Sequence, residues 1–348
     1  MKFLRQFADQ ALFATGLSLS RIILFSAESL PLRYSRLALG VGKRPDPSPP
    51  ENHHKILRAE ILNMLKEDFH NINAGLYSLD HLTEFSPVSH TKRYLRLLFD
   101  SIGSARRASK NQYREFSENA KEHLVRLPEY YIRNFHFQTD GYLSEESADL
   151  YEHQTEILFM GTLNLMRRLL LAKLISIGNE KSSSFRILEF GAGTGETTEI
   201  LVRSLSNATV EAIDLSEPYV AKAQKRLSGF KNVHFTHADA LTYKSEEKFD
   251  AVVTSYCLHE MPLEVRKQFI QNAAAHLKRG GHLLLIDSLQ MGERTEFDWA
   301  LKQFPKDFHE PFYTNYVKTP LKTLLCEDLE LVEEKSRFLS KSLLARKL

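Results

Sequence analysis

The sequence predicts an α/β fold: a parallel sheet covered by helices on both faces, closed by an antiparallel hairpin and preceded by a helical N-terminal region. Three observations carry this. Beyond about Glu180, short apolar runs alternate with helical segments, the signature of strand–helix–strand units. The first of these runs ends in a glycine-rich loop that opens a helix. Before Glu180, apolar residues recur only at helical spacing.

Composition narrows the class. The chain has 348 residues, enough for about two domains. With 43% hydrophobic and 26% charged residues, 15 Gly and 12 Pro, it is far from disordered, collagen-like or low-complexity composition. Lys plus Arg number 46 against 44 for Asp plus Glu, so no overall field draws the protein onto nucleic acid, and any basic surface is local. The two cysteines, Cys257 and Cys326, form no Cys-x-x-Cys pair and are too few for a secreted disulfide framework. A reducing compartment, the cytoplasm, is expected.

At the N-terminus, Lys2 and Arg5 precede an apolar stretch from Ala11 to Ala27. Asp9 and Arg21 bound an uncharged run shorter than the roughly 18 residues of a spanning helix, so a non-spanning amphipathic helix is expected. It packs on its own protein or lies on a membrane or hydrophobic partner. Lys43 to His54 carries four prolines and reads as a connector. Lys55 to about Asn119 is helical, with Ile56, Ile61, Leu62, Met64, Leu65 and Phe69 on one face. Lys92, Arg93, Arg106, Arg107 and Lys110 form a modest basic patch, a solvated face or a contact for a membrane or acidic substrate. Ser144 with Glu145 and Glu146 starts a long helix running through Met166, and Asn179 to Ser184 is a polar break. Three parts result: residues 1–54, an amphipathic helix and linker; 55–180, a helical substrate or lid region; and 181–348, the α/β domain.

The expected strands are Phe185 to Phe190, Thr209 to Ile213, Val233 to Phe235, Ala251 to Thr254 and His282 to Ile286, each short and apolar enough to be buried on both faces. Leu329 to Glu334 and Leu339 to Arg346 are joined by too few residues for a parallel crossover and should pair antiparallel.

The segment Ile187 to Thr198 reads ILEFGAGTGETT. Gly191, Gly193 and Gly195 allow a tight turn and close approach of a ligand to free N–H groups at a helix start. About 20 residues on, the second strand ends in Asp214, placed to accept from vicinal ribose hydroxyls. The Gly-x-Gly-x-Gly spacing lacks the Gly-x-Gly-x-x-Gly turn of a pyrophosphate site. Glu189 just before the loop would oppose a pyrophosphate but attract an ammonium.

At these residues the sequence resembles the class I S-adenosylmethionine-dependent methyltransferases, over about residues 183–348. Glu189 to Gly195, with Ala192 inside it, is similar to the family's first motif, which holds the methionine end of the cofactor. Asp214 and Leu215 match the ribose-binding strand end, and Asp239 and Ala240 the pair that contacts adenine. Phe249 to Ser255 matches the fourth strand, and Leu277 to Asp287 the helix, turn and fifth strand, where Gly280 and Gly281 read as a helix C-terminal turn. The resemblance implies a Rossmann-like seven-stranded sheet with an antiparallel last strand, S-adenosylmethionine as cofactor, and a cofactor site of Glu189, Gly191, Ala192, Gly193, Gly195, Asp214, Leu215, Asp239, Ala240 and Ser255.

Methyl transfer from a sulfonium is an in-line displacement, so alignment and exclusion of water come first and a base is needed only for some acceptors. After the fourth strand, Ser255 to Met261 does not form the Asn/Asp-Pro-Pro-aromatic motif of many base- and amide-nitrogen methyltransferases, which argues against nucleic acid as partner. Three groups of candidates stand out. His259 and Glu260 follow a strand end, where open sheets bind ligands. Asp307 to Tyr313, with His309, follows the fifth strand, a position that in the family contributes to the acceptor pocket. The dense loop Asn134 to Tyr142 reads as a lid bringing Tyr142 or His136 to the methyl group, or as a packed interdomain joint. His259, His309 and Tyr142 are therefore the catalytic candidates. No His-Glu-x-x-His spacing and no cysteine cluster occurs, so no metal is expected.

The expected function is methylation, on oxygen or carbon, of a small lipophilic acceptor. Lipophilicity is inferred from the apolar N-terminal helix and the Phe- and Tyr-rich stretches. The rivals are an NAD-type oxidoreductase on the same sheet, and a non-catalytic cofactor sensor at a membrane or partner surface. The oligomeric state is left open.

Overall fold

The computed structural model describes residues 2–41, 48–77, 86–125 and 127–348, and side chains from residue 9 onward. Part of the proline-rich connector lies outside the described residues. Helix α1 (Lys2–Ala38) is followed by α2 (His53–Asn73), α3 (Pro87–Lys110), the short α4 (Glu118–Glu122), α5 (Glu145–Leu158) and α6 (Leu163–Glu180). The α/β part runs β1 (Phe185–Phe190), α7 (Glu196–Ser204), β2 (Ala208–Asp214), α8 (Glu217–Arg226), β3 (Val233–His237), β4 (Phe249–Ser255), α9 (Leu263–His276), β5 (Leu277–Ser288), α10 (Asp298–Asp307), α11 (Tyr313–Lys318), β6 (Leu329–Arg337) and β7 (Ser340–Lys347).

The seven strands form one sheet in the order β3-β2-β1-β4-β5-β7-β6. β1 pairs in parallel with both β2 and β4, so the strand order reverses there and a crevice opens beyond the C-terminal ends of β1 and β4. β7 lies antiparallel between β5 and β6, as the short connection requires. Both faces of β1 are buried. Phe185 and Ile187 join a cluster with Leu170, Leu174 and Leu201, while Leu188 and Phe190 join another with Phe269 and Ile270.

Two sequence expectations change. The long helix from Ser144 is two helices, because Met160 and Gly161 adopt left-handed conformations between α5 and α6. A Cβ on Gly161 would stand 2.6 Å from the Arg21 carbonyl oxygen, so the crossing of α1 demands glycine and breaks the helix. Gly280 and Gly281 do not cap a helix. β5 already begins at Leu277, and these residues bulge between the Phe249–Leu277 and Ala251–His282 pairs.

Buried polar contacts join the helices of the N-terminal region to one another. Arg168 on α6 pairs with Asp68 on α2 at 2.6 Å and donates to Ser18 on α1 at 3.2 Å. Glu28 on α1 accepts from both His90 on α3 and His153 on α5, at 2.7 and 2.9 Å. α1 is long and apolar enough to cross a membrane by length and composition, yet Ala11, Ala14, Ile22 and Phe25 are buried against its own protein.

Candidate active site

Two adjoining cavities occupy the C-terminal edge of the sheet. The first lies between the glycine loop, the ends of β2 and β4, and residues 130–151. Of the residues expected at a cofactor, Gly191, Gly193, Asp214, Leu215, Asp239, Ala240 and Ser255 line it, as does Tyr142. Gly193 has φ +56° and open space where a Cβ would stand, so the cleft comes close to bare backbone. The Asp214 carboxylate accepts from the N–H groups of Gly193 and Ser216, both at 2.8 Å, which hold it at the strand end. Burial raises its pKa, and these N–H donors oppose the rise.

The other expected members sit behind the cleft. Glu189 is fully buried, accepts from the Thr198 hydroxyl at 2.6 Å and keeps its other oxygen unpartnered. Burial lifts its pKa to about 8, partly offset by Thr198 and Arg167. The Ala192 N–H donates to the Ile213 carbonyl at 3.0 Å. Gly195 caps α7 in a left-handed conformation, where a Cβ would press on Ala223 and Phe235. These three shape the loop and do not face the cavity.

The loop from Asn134 to Tyr142 covers the cleft. His136, Phe137, Asp140 and Gly141 all have positive φ, a concentration of strain held by side-chain bonds. Asn134 exchanges bonds with the Glu115 backbone at 2.8 and 2.9 Å, and Gln138 donates to the Gly141 carbonyl at 2.6 Å. Arg107, grouped with the basic patch by sequence, is buried and donates to the Phe137 carbonyl at 2.9 Å. The Ser216 hydroxyl, at the start of α8, donates to the Tyr142 carbonyl at 2.5 Å, and the Tyr142 hydroxyl donates to Glu260.

The second cavity shares Tyr151, Tyr256 and Glu260 with the first. Leu158, Phe159, Leu163, Leu301, Phe304 and Leu339 make it largely apolar. His259 lines it. Asp287, at the end of β5, is fully buried and accepts from the Leu258 and His259 N–H groups at 2.8 and 3.2 Å and from His259 Nδ1 at 2.6 Å. That fixes the tautomer and turns His259 Nε2 toward Glu260, 3.9 Å away. Burial works to lower the His259 pKa, but the charge and hydrogen bond of Asp287 lift it to about 9.

His309, expected to be catalytic, lines neither cavity. Its ring stacks on Tyr113 at 4.2 Å, and burial pushes its pKa down to about 4. The next residue, Glu310, points inward instead, 3.5 Å from His136 Nδ1. The sequence marks Asp287 only as a strand end; an acid closing a buried strand beside β4 is the signal for its role.

Comparison with known proteins agrees with this geometry. A family described as "Methyltransferase domain" matches residues 187–281. A malonyl-[acyl-carrier protein] O-methyltransferase of Bacillus anthracis is 38% identical over 103 residues, 30% of this chain and 37% of that protein. A demethylmenaquinone methyltransferase of Clavibacter sepedonicus is 31% identical over 144 residues, 41% of this chain and 55% of that protein. The chain thus spans well under two thirds of the curated relatives' length. A magnesium protoporphyrin IX methyltransferase from Synechocystis PCC 6803 aligns in structure at 18% identity and TM-score 0.42, covering 57% of this chain and 88% of that one. Residues 187–281 thus match a methyltransferase domain, and the α/β part resembles the class I S-adenosylmethionine-dependent methyltransferases.

Proposed function

We propose that the protein transfers a methyl group from S-adenosylmethionine to an oxygen or carbon of a small lipophilic acceptor. The observation that carries this reading is the pair of cavities: a cleft beside the glycine loop adjoins a more apolar pocket, sharing Tyr151, Tyr256 and Glu260 with it, and His259 of a buried His–Asp dyad lines that pocket.

The cleft suits that cofactor. Asp214 would accept from ribose hydroxyls and Asp239 from the adenine amino group, while the open face at Gly193 admits the chain between them. Tyr130, Tyr131, Tyr142 and Tyr219 wall the cleft with aromatic faces suited to a sulfonium. When bound, the cofactor supplies a methyl group on positively charged sulfur, which departs neutral. The chain aligns the acceptor and excludes water through the lid and the apolar pocket. Once it has itself lost a proton, His259 Nε2 takes the one released by an acceptor hydroxyl or acidic carbon, so this step gains as pH rises toward about 9, and Asp287 stabilises the imidazolium that results.

The names of the two curated relatives point to a carboxyl-bearing acyl group, methylated on oxygen, and to a demethylmenaquinone ring, and the apolar walls favour the lipophilic kind. The test is transfer of labelled methyl into an organic-extractable product from a panel of quinols, phenols and fatty acids. Incorporation that requires acceptor and is lost in His259→Asn supports the reading; absence of any labelled product opposes it.

We also propose that α1 and α3 rest on a lipid surface. Leu12, Phe13, Ile23 and Leu30 on α1 and Val88, Leu95, Phe99 and Ile102 on α3 are half exposed or more, within rounding. Lys92 and Lys110 stand exposed on α3, as do Arg96 and Arg106, which pair with Asp149 and Glu115. Apolar residues flanked by cations suit an anionic membrane face.

A further inference from the structure

Three side chains that the proposed proton transfer does not use meet where the two cavities join. His136 comes from the strained lid loop, Glu260 from the turn after β4 and Glu310 from the turn before α11. One ligand atom from each lies within 4.8 Å of the other two. His136 Nε2 is 3.8 Å from Glu260 Oε1, and His136 Nδ1 is 3.5 Å from Glu310 Oε1. His136 is 8% exposed and Glu310 3% exposed.

Their hydrogen bonding is incomplete. Both carboxylate oxygens of Glu310 and Nδ1 of His136 lack a partner of hydrogen-bonding geometry. A buried carboxylate normally has donors or a counter-ion, because its desolvation is otherwise uncompensated. Here Glu260 has the Tyr142 hydroxyl as a donor, Glu310 has none, and no arginine or lysine pairs with either among the described residues. The other buried histidine–carboxylate group is closed: both oxygens of Glu28 are engaged by His90 and His153.

We propose that His136, Glu260 and Glu310 form a site for a divalent first-row transition cation at the mouth of the acceptor pocket. The donor set of one imidazole and two carboxylates suits manganese, iron or zinc better than magnesium, which favours all-oxygen shells. The loop is already locked around His136 by Asn134, Gln138 and Arg107, so little reorganisation accompanies binding. Linear sequence reasoning on His-Glu-x-x-His spacing could not find this group, because its members come from three separate segments. His259 Nε2 lies 3.9 Å from the same Glu260 oxygen, so an acceptor oxygen bound to the cation would sit beside the dyad. That last point rests on the methyltransferase reading; the site itself does not.

The test titrates the full chain, stripped with chelator, with Mn²⁺ followed by electron paramagnetic resonance, and with Zn²⁺ as competitor. No cofactor or acceptor is added, so failure of the methyltransferase reading cannot affect the result. One Mn²⁺ per chain is expected, displaced by Zn²⁺, weakened at least about tenfold by Glu310→Gln and by His136→Asn, and unchanged by Glu28→Gln. Asn tolerates the left-handed backbone at position 136, so that variant carries the test if Glu310→Gln does not fold. Spin-echo modulation from a ligating nitrogen in the unmutated protein is a readout independent of both variants. Absence of stoichiometric Mn²⁺ and Zn²⁺ binding overturns the proposal, as does binding that survives both substitutions and is lost in Glu28→Gln.

Discussion

The Nδ1 of His259 stands 2.6 Å from Oδ1 of Asp287, and the other oxygen of Asp287 takes the backbone N–H groups of Leu258 and His259. One buried carboxylate therefore sets both the path of the turn after β4 and the tautomer of the imidazole on it. Sequence separates the two residues widely; the parallel pairing of β4 with β5 brings them together.

Asp287→Asn keeps the shape and one acceptor oxygen but removes the charge that stabilises the imidazolium. Turnover should fall by about 10²- to 10⁴-fold. The Kd for S-adenosylhomocysteine should stay within about threefold, since Asp287 does not line the cofactor cleft. Parallel loss of binding and rate would mean that Asp287 serves folding alone.

Gly141→Ala tests the lid. A Cβ there would lie 2.2 Å from the Arg133 carbonyl oxygen on a backbone with φ +56°. The loop must shift, at a cost of about 2–4 kcal/mol. Faster hydrogen exchange across residues 134–142 and weaker S-adenosylhomocysteine binding are expected; unchanged exchange would show that the loop is not held as described.

The docking of α1 should weaken in acid. His153 is buried, and burial outweighs the attraction of Glu28 to bring its pKa down from 6.5 to about 4. Because the folded value is depressed, the unfolded chain takes up the proton first. The contribution is fully present above pH 6.5 and is lost as pH falls through about 4, up to roughly 3 kcal/mol. Urea melts at neutral and acid pH should show a step that His153→Gln flattens; equal slopes for the two proteins would contradict it.

Co-sedimentation with vesicles tests the lipid surface. Anionic phosphatidylglycerol vesicles should bind the protein more than neutral phosphatidylcholine ones, with binding declining in salt. The double variant Ile23→Glu with Phe99→Glu should release it without changing the melting temperature by more than a few degrees, since both side chains are exposed. Equal binding by variant and parent would place the contact elsewhere.

The sheet was legible because strands buried on both faces are continuous apolar runs, as Phe185 to Phe190 and Leu283 to Ile286 show. The cofactor cleft was legible in part. Gly193, Asp214 and Asp239 sit at strand ends whose position follows from the topology. Gly195 and Glu189 could not be separated from them, because local spacing does not reveal which side of a loop meets solvent. The acceptor side was less legible still. His309 and Glu310 are adjacent, and only the path of the turn decides which enters the site. The break at Met160 and Gly161 depends on the crossing of α1, a contact between residues about 140 apart in sequence.

Every role proposed for the site depends on S-adenosylmethionine occupying the cleft at Gly193 and Asp214. Calorimetric titration with S-adenosylmethionine, S-adenosylhomocysteine and NADH in parallel tests it most directly. One site is expected for each of the first two, none for NADH, and at least about 30-fold weaker binding in Asp214→Ala, the loss of a charge-assisted hydrogen-bond anchor. Binding of NADH alone, or S-adenosylhomocysteine binding indifferent to Asp214→Ala, would contradict it.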